Sequence, residues 1–294
     1  MTTLSAILQG ILQGLTEFLP VSSSGHLSLY QYFTGISSEG SVTFSVMLHM
    51  GTLLAVIIAF RKTIWELLKE FIGIFADLFR GRLFRGPVSP QRRMLYLLML
   101  SCVPLLLVLP VQDFIKSISA DNDIIIEGIC FLITATLLTM ADRCRKGNKK
   151  AGNMTVKDSV VIGFAQCVAT LPGISRSGST ISAGLLRGLD RGYAVSYSFI
   201  LGLPAVLAAG LLDLKDVVSG GGMDIAWGTA LIGMLFAAVF GLLAIGLVKW
   251  LIKSDKFRIF AVYTLIIGVL TLGIGIVEKV TGNAIQAYIM GLIH

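Results

Sequence analysis

The sequence predicts an all-α polytopic membrane protein: about six transmembrane helices plus two re-entrant helical hairpins, arranged as an inverted-topology repeat. Three observations carry this reading. Of 294 residues, 55% are hydrophobic and 14% charged, with a mean hydropathy of +0.83, whereas soluble domains carry about 25% charged residues. Apolar runs long enough to cross a bilayer alternate with two that are too short and that end at proline. The chain also repeats itself, with the same signature appearing once in each half.

The first stretch, LSAILQGILQGLTEFL within residues 1–19, is helical in pattern but short of the ~20 apolar residues a span needs. It stops at Pro20, and SSSGH then begins a second short helix over 22–34, as small polar residues do at helix starts. Two short helices joined at a Pro/Ser break form a re-entrant hairpin, which is tolerated at membrane depth only where protein or a water-filled cavity surrounds it. A span follows at about 44–60, ending at Arg61. Residues 61–93 are basic and amphipathic, and WELLKEFIGIFADLF is expected to lie partly in the interface. Spans at about 93–110 and 124–141 precede the basic loop RCRKGNKK. Residues 158–171 are again too short and end at Pro172, followed by GISRSGST, a second broken-helix signature; full spans resume at about 194–212, 226–248 and 258–277.

Charge sets the orientation. Twenty of the 24 basic residues fall in the loops of one side, Lys116, Lys215 and Lys279 on the other, and Arg176 within the second hairpin. The basic-rich side is the cytoplasmic one, so the first hairpin enters from outside and the second from inside. The net charge of +7 is thus a topology signal spread over loops, and no nucleic-acid partner is expected. Cys102, Cys130, Cys144 and Cys167 lie within or beside apolar runs without metal-ligand spacing and read as small apolar residues. The N-terminus MTTLSAILQG lacks a basic signal-peptide region and is expected to belong to the mature fold.

The repeat has an offset of 153 residues at both Gly25/Gly178 and Phe44/Tyr197. Each unit, 1–150 and 151–294, is one hairpin plus three spans, and an odd number of spans inverts the second unit. Inverted repeats with broken helices place a site near the midplane, where the hairpins meet. Polar residues at that depth mark function by default. Gln13 and Glu17 are four apart and share a helix face. Ser22, Ser23, Ser24, Gly25 and His26 open the next helix, whose N-terminus suits anions. The second hairpin adds Ser175, Arg176, Ser177, Ser179 and Thr180, and a guanidinium forks onto phosphate oxygens. Two hydroxyl-rich helix starts and one buried arginine describe a phosphate or diphosphate site. Glu17, an anion there, needs a metal or proton role. The competing readings are plain. The serines would cap helices, Glu17 would pair structurally with Arg176, and His26 would be an interface histidine. His49 and Glu127 read as packing residues, and His294 carries no signal.

QGLTEFLPVSSSGH, with its Glu/Gln-x-x-x-Glu pattern, and PGISRSGST resemble the two signature motifs of the undecaprenyl-diphosphate phosphatase (bacitracin-resistance protein) family, and the resemblance covers essentially the whole chain. It implies hydrolysis of a C55 isoprenoid diphosphate to the monophosphate carrier used for peptidoglycan, in the plasma membrane, with a divalent cation, Mg²⁺ or Ca²⁺. It implies Gln13 and Glu17 for the acidic motif, Ser23 and His26 for the serine-histidine motif, and Ser175, Arg176, Ser177 and Thr180 for the second. On this reading Glu17, Ser23, His26 and Arg176 are catalytic, and Glu17 and Gln13 hold the metal. Ser22, Ser24, Gly25, Ser175, Ser177 and Thr180 bind substrate. Ser23, His26 or a water attacks, and the site opens to the extracytoplasmic face. The partners are the prenyl diphosphate and membrane lipids, with homo-oligomer formation left open. The alternative is a lipid-phosphate flippase or proton-coupled transporter using Glu17 and His26 as a proton relay.

Overall fold

The computed structural model describes residues 2–35, 41–81, 88–111, 123–219 and 227–293, with the side chains at 41–43, 209, 211–219 and 292–293 excepted. Expectations resting on Glu39, Lys116, the Lys215 side chain and His294 lie outside those residues, as do Arg82 and Arg85 of the basic loop. Among the described residues twelve α-helices follow in order: α1 Thr3–Phe18, α2 Ser23–Thr34, α3 Ser41–Ala59, α4 Arg61–Phe79, α5 Pro90–Cys102, α6 Ile125–Arg143, α7 Val156–Val168, α8 Arg176–Leu186, α9 Arg191–Ser219, α10 Trp227–Lys253, α11 Arg258–Thr281 and α12 Ala284–Ile293. The chain is an all-α, multi-pass membrane protein.

Both hairpins form where the sequence breaks. Helix α1 is capped by Thr2, whose hydroxyl accepts from the Ser5 N–H at 3.2 Å, and it ends at Leu19 before Pro20. Helix α7 starts with a reciprocal capping box between Thr155 and Asp158 and stops ahead of Pro172. Among the described residues four helices are long and apolar enough to cross a membrane: Pro90–Val111, Ile125–Arg143, Trp227–Lys253 and Arg258–Thr281. A fifth arises if α3 and α4 count as one broken span, bent by 89°. The expected span at 194–212 lies within α9, whose 29 residues reach about 43 Å.

Two elements differ from expectation. The span expected at 93–110 is α-helical only to Cys102 and continues as 3₁₀ turns over Val103–Leu107 and Leu109–Val111. Pro104 and Pro110 remove the N–H groups that an α-helix would need there. The chain after α11 turns at Gly282 and forms the short helix α12. This helix packs on α2, with the Gln286 amide donating to the Tyr32 carbonyl at 2.9 Å. Helix α4 keeps only Leu67 buried and exposes Trp65, Leu68, Phe71, Ile72 and Phe75, as an interfacial helix does.

Close contacts fix helix directions. A side chain at Gly10 would strike the Gly233 carbonyl at 2.5 Å, and one at Gly14 the Ala237 carbonyl at 2.6 Å. Helices α1 and α10 therefore run parallel, with small residues between them. Gly51 lies on Met234 and Ala55 on Gly241, so α3 is parallel to α10 as well. Helices α5 and α7 are likewise parallel: the Arg93 guanidinium donates to the Met154 carbonyl, Ser159 to the Leu97 carbonyl, and Gly163 lies on Ser101 and Pro104. Helices α6 and α11 run antiparallel, with Gly128 on Leu272 and Gly275 on Ile125.

One end of the bundle gathers the charges. Asp158, fully buried, accepts from Lys149 and Arg187, each at 2.9 Å. Asp255 pairs with Lys146 and with Arg191. Burial disfavours the charged Asp158 carboxylate, but its bonds to Thr155, Lys149 and Arg187 win and hold it at about 2. This folded value lies below the unfolded one, so the stabilisation is present above pH ~4 and lost as pH falls toward 2. Asp158→Asn should therefore destabilise the protein at neutral pH by about 1–2 kcal/mol, a figure reduced for the solvent that reaches Lys149 and Arg187. Thermal unfolding in detergent should show the gap to wild type closing as pH is lowered from ~4; a gap independent of pH would contradict the assignment.

Candidate active site

The site is assembled from the two helix breaks. Gln13 and Glu17 are one turn apart on α1, both buried, and the Gln13 amide donates to Glu17 Oε2 at 3.0 Å. After Pro20 the chain reverses through Ser22, a non-glycine residue at φ 74° and ψ 100°. Such backbone costs roughly 1–3 kcal/mol and persists where its surroundings hold it. The Ser22 hydroxyl caps α2 by accepting from the Gly25 N–H at 3.3 Å. Ser23, the first residue of α2, donates from Oγ to Glu17 Oε2 at 2.6 Å. On the other side Ser175 caps α8, accepting from the Gly178 N–H at 3.0 Å, and Arg176 is the first helical residue.

The breaks are tied together. The Gly173 N–H donates to Ser24 Oγ at 3.2 Å, and Ser177 Oγ donates to the Leu19 carbonyl at 3.3 Å. Across this junction Arg176 Nη2 meets Glu17 Oε1 at 2.5 Å. The ion pair of the competing reading is thus present, but it does not exhaust the guanidinium. Arg176 Nη1 is buried and has no partner among the described residues. A donor held at two converging helix starts can take an anion's oxygen.

A cavity of about 420 Å³ opens on this pair. Thr16, Glu17, Ser23, Ser24, His49, Thr170, Ser175 and Arg176 supply its polar lining, with Leu171, Pro172, Ile174 and Val206 among the apolar groups. Of the residues singled out in the sequence, it therefore brings together Glu17, Ser23, Ser24, Ser175 and Arg176. Gln13 lies behind Glu17. Ser22, Gly25 and Ser177 are used in capping and in tying the breaks, and none lines the cavity. Thr180 donates to the Arg176 carbonyl at 2.9 Å and faces Ser198 Oγ at 2.5 Å, so it supports Arg176 from behind. His26 also lies off the cavity: Nδ1 is 2.7 Å from the Ser22 carbonyl and Nε2 is 2.8 Å from the Tyr263 hydroxyl.

Two residues were missed. His49, read as packing, lines the cavity, with Nδ1 bonded to the Ser45 carbonyl at 2.8 Å. Gly202 makes room for the arginine, since a side chain there would lie 2.1 Å from Arg176 Nη1. The two positions are 153 apart, so the internal repeat that aligned Phe44 with Tyr197 also paired them. Gly202→Ala should displace the flexible end of Arg176 and lower turnover about 10–100-fold, with the unfolding midpoint nearly unchanged. Steady-state kinetics beside a thermal melt would check this; unaltered turnover would contradict it.

The sequence pattern described as bacitracin resistance protein BacA matches residues 6–270. The chain is 38% identical over 278 residues to an undecaprenyl-diphosphatase of Methanosphaera stadtmanae, covering 93% of this chain and 98% of the relative. It is 38% identical over 270 residues to one of Alkaliphilus metalliredigens, covering 91% and 97%. It is 37% identical over 273 residues to undecaprenyl-diphosphatase 4 of Bacillus thuringiensis subsp. konkukian, covering 92% and 97%.

Proposed function

This chain belongs to the bacitracin resistance protein BacA family, and on that premise we propose that it hydrolyses undecaprenyl diphosphate to undecaprenyl phosphate and inorganic phosphate. That reaction returns the lipid carrier to cell-wall synthesis and opposes bacitracin. The observation that carries the chemistry is Arg176: paired with Glu17 through Nη2, unpartnered at Nη1 among the described residues, and set on the cavity wall beside Ser23. The comparisons lend no support to the flippase alternative. Phosphate release from purified protein in detergent tests the reading, since a pure lipid carrier would release none.

The proposed roles follow from the geometry. The terminal phosphoryl group lies between the starts of α2 and α8, where helix N–H groups and Arg176 Nη1 take its oxygens. Ser23 Oγ attacks phosphorus, and its proton passes to Glu17 Oε2, 2.6 Å away. The bond from phosphorus to the bridging oxygen breaks, and undecaprenyl phosphate leaves. Water then cleaves the phosphoserine, releasing phosphate and restoring the serine. Of the two candidate nucleophiles, Ser23 lines the cavity and His26 does not.

A divalent cation, Mg²⁺ or Ca²⁺, fits part of this donor set. Gln13 Oε1 is buried without a partner among the described residues, one turn from the Glu17 carboxylate, and hard oxygen donors suit both ions. Among the described residues no cluster of three or more Asp, Glu, His or Cys side chains could hold a metal. Gln13 and Glu17 would therefore hold the ion together with substrate phosphate oxygens, as Mg²⁺ sites commonly do. When bound, the ion would offset charge on the transferring phosphoryl group. EDTA should reduce phosphate release at least about tenfold, and added Mg²⁺ or Ca²⁺ should restore it.

We also propose that 1–150 and 151–294 form two inverted repeats. Helix α1 pairs with α10 in the parallel sense and α7 with α5 in the same sense, which supports the division. Since α10 ends at Lys249 and Lys253, its parallel partner α1 descends from the extracytoplasmic side. The proposed location is the plasma membrane with the cavity open outward. A membrane-impermeant short-chain diphosphate added outside sealed, right-side-out vesicles should be hydrolysed; hydrolysis only after permeabilisation would reverse the assignment.

A further inference from the structure

We propose that His26 and Tyr263 are positioning residues, which act by locking the backbone of Ser22 so that Ser23 is aimed for attack. The proposal rests on the hydrolase reading above and concerns how its nucleophile is held. The His26 ring has both nitrogens engaged. A carbonyl oxygen only accepts, so Nδ1, 2.7 Å from the Ser22 carbonyl, carries a proton. The ring is enclosed by aromatic groups: Phe131 meets it edge-on at 5.1 Å, and Tyr263 stacks at 5.8 Å with planes 7° apart. Among the described residues no carboxylate is bonded to it. In the neutral ring Nε2 is then the acceptor, and the Tyr263 hydroxyl, 2.8 Å away, donates. Attack on phosphorus or proton uptake from substrate would require breaking one of these bonds, and the ring does not line the cavity.

What the ring holds explains its place. Ser22 has φ 74°, a left-handed conformation that side chains disfavour. Its carbonyl receives the His26 N–H at 3.3 Å and the His26 Nδ1–H at 2.7 Å, while its hydroxyl receives the Gly25 N–H. The next residue is Ser23, whose Oγ must point at Glu17 Oε2. The Ser22 backbone sets that direction, and the imidazole fastens it from within the same helix turn. Tyr263 anchors the imidazole from α11, 237 residues away. Tyr263 is 41% exposed on an outward face otherwise occupied by Val262, Leu265 and Ile266, where a phenylalanine would meet lipid equally well. The hydroxyl is accounted for by its bond to His26.

The two ring nitrogens make the proposal separable from a chemical role for histidine. Asparagine places an N–H near the position of Nδ1, and glutamine near that of Nε2. His26→Asn should keep the bond to Ser22 and retain kcat within about tenfold, while His26→Gln should lose at least about a hundredfold. Tyr263→Phe, which keeps the stack, should lower kcat about tenfold and leave KM within about twofold. Added to His26→Asn, Tyr263→Phe should have no further effect, because the phenol has lost its acceptor. Selective ¹⁵N-histidine NMR in detergent gives a readout independent of turnover. His26, assigned by its loss in His26→Asn, should show a protonated Nδ1 and a hydrogen-bonded Nε2, and Tyr263→Phe should move Nε2 toward the free value. Equal inactivity of His26→Asn and His26→Gln, unaltered kcat in Tyr263→Phe, or an unmoved Nε2 signal would each overturn the positioning role. Wild-type protein that releases no phosphate would overturn the hydrolase reading instead, while the NMR would still report the lock.

Discussion

Arg176→Ala is expected to lower kcat/KM for a prenyl diphosphate by at least about a thousandfold, the scale seen when an arginine is withdrawn from a transferring phosphoryl group. The guanidinium does two things at once: Nη2 neutralises Glu17 at 2.5 Å, and Nη1 is buried without a partner among the described residues. Arg176→Lys should restore little of the loss, because an ammonium is a single point of charge and cannot serve a carboxylate and a phosphate in fixed directions. Removing the arginine also strands a buried carboxylate, a cost of about 3–5 kcal/mol when one partner of a buried pair is deleted. Folding failure alone would inactivate such a variant, so the test includes Glu17→Gln/Arg176→Ala, which removes both charges. That double variant should recover most of the thermal stability and remain as inactive as the single one. Near-normal turnover in Arg176→Ala, or recovery of activity with stability in the pair, would remove the arginine from the phosphate site.

Much of the fold was legible because proline and the apolar run lengths report directly on backbone hydrogen bonding. Pro20 and Pro172 announced the two broken helices, and both α1 and α7 end ahead of them. Lengths were less legible where proline sits inside an apolar run. Pro104 turns the end of α5 into 3₁₀ geometry, whereas Pro204 is absorbed within α9. Both runs are equally apolar, so composition alone does not tell the outcomes apart. The bend of 89° between Ala59 and Arg61 was readable as a change from apolar to amphipathic sequence, though not as an angle. Helix α12 was missed because ten residues after a turn look like a tail until Tyr32 of α2 is seen to bond Gln286 and Asn283.

The site divides in the same way. Residue types at the breaks identified Glu17, Ser23 and Arg176, and the cavity joins all three. Side-chain direction was not legible. Ser177, Thr180 and His26 belong to the same motifs, yet they bond to Leu19, Arg176 and Ser22 backbone carbonyls and not to the cavity. A motif records that a residue is needed at a helix start; it does not distinguish touching the ligand from holding the turn that does. His49 and Gly202 show the converse. Neither looks polar-clustered in sequence, and each is defined by what it faces across the bundle, Glu17 and Arg176 respectively.

Ser23→Ala is the second decisive variant. If Ser23 Oγ forms the bond to phosphorus, its removal should cost at least about a thousandfold in kcat, since deleting a nucleophile removes the covalent route entirely. If it only orients a water, the loss should be about tenfold, the worth of one hydrogen bond. The geometry favours the larger number. Ser23 is held at the start of α2 with its hydroxyl proton already directed at Glu17 Oε2, 2.6 Å away, so deprotonation and attack need no rotamer change. Glu17→Gln should then imitate Ser23→Ala in kcat, because an amide cannot take the proton. Acid quenching of the wild type with substrate labelled at the terminal phosphate should trap an acid-stable phosphoserine, and peptide mapping should place the label on residue 23. A parallel alkaline quench preserves phosphohistidine, which acid destroys; label on His26 in that sample would assign attack to the imidazole and contradict both its lock on Ser22 and the role given to Ser23. An absence of label together with only a tenfold loss in Ser23→Ala would point to direct attack by water activated at Glu17, leaving Ser23 to hold that water in line.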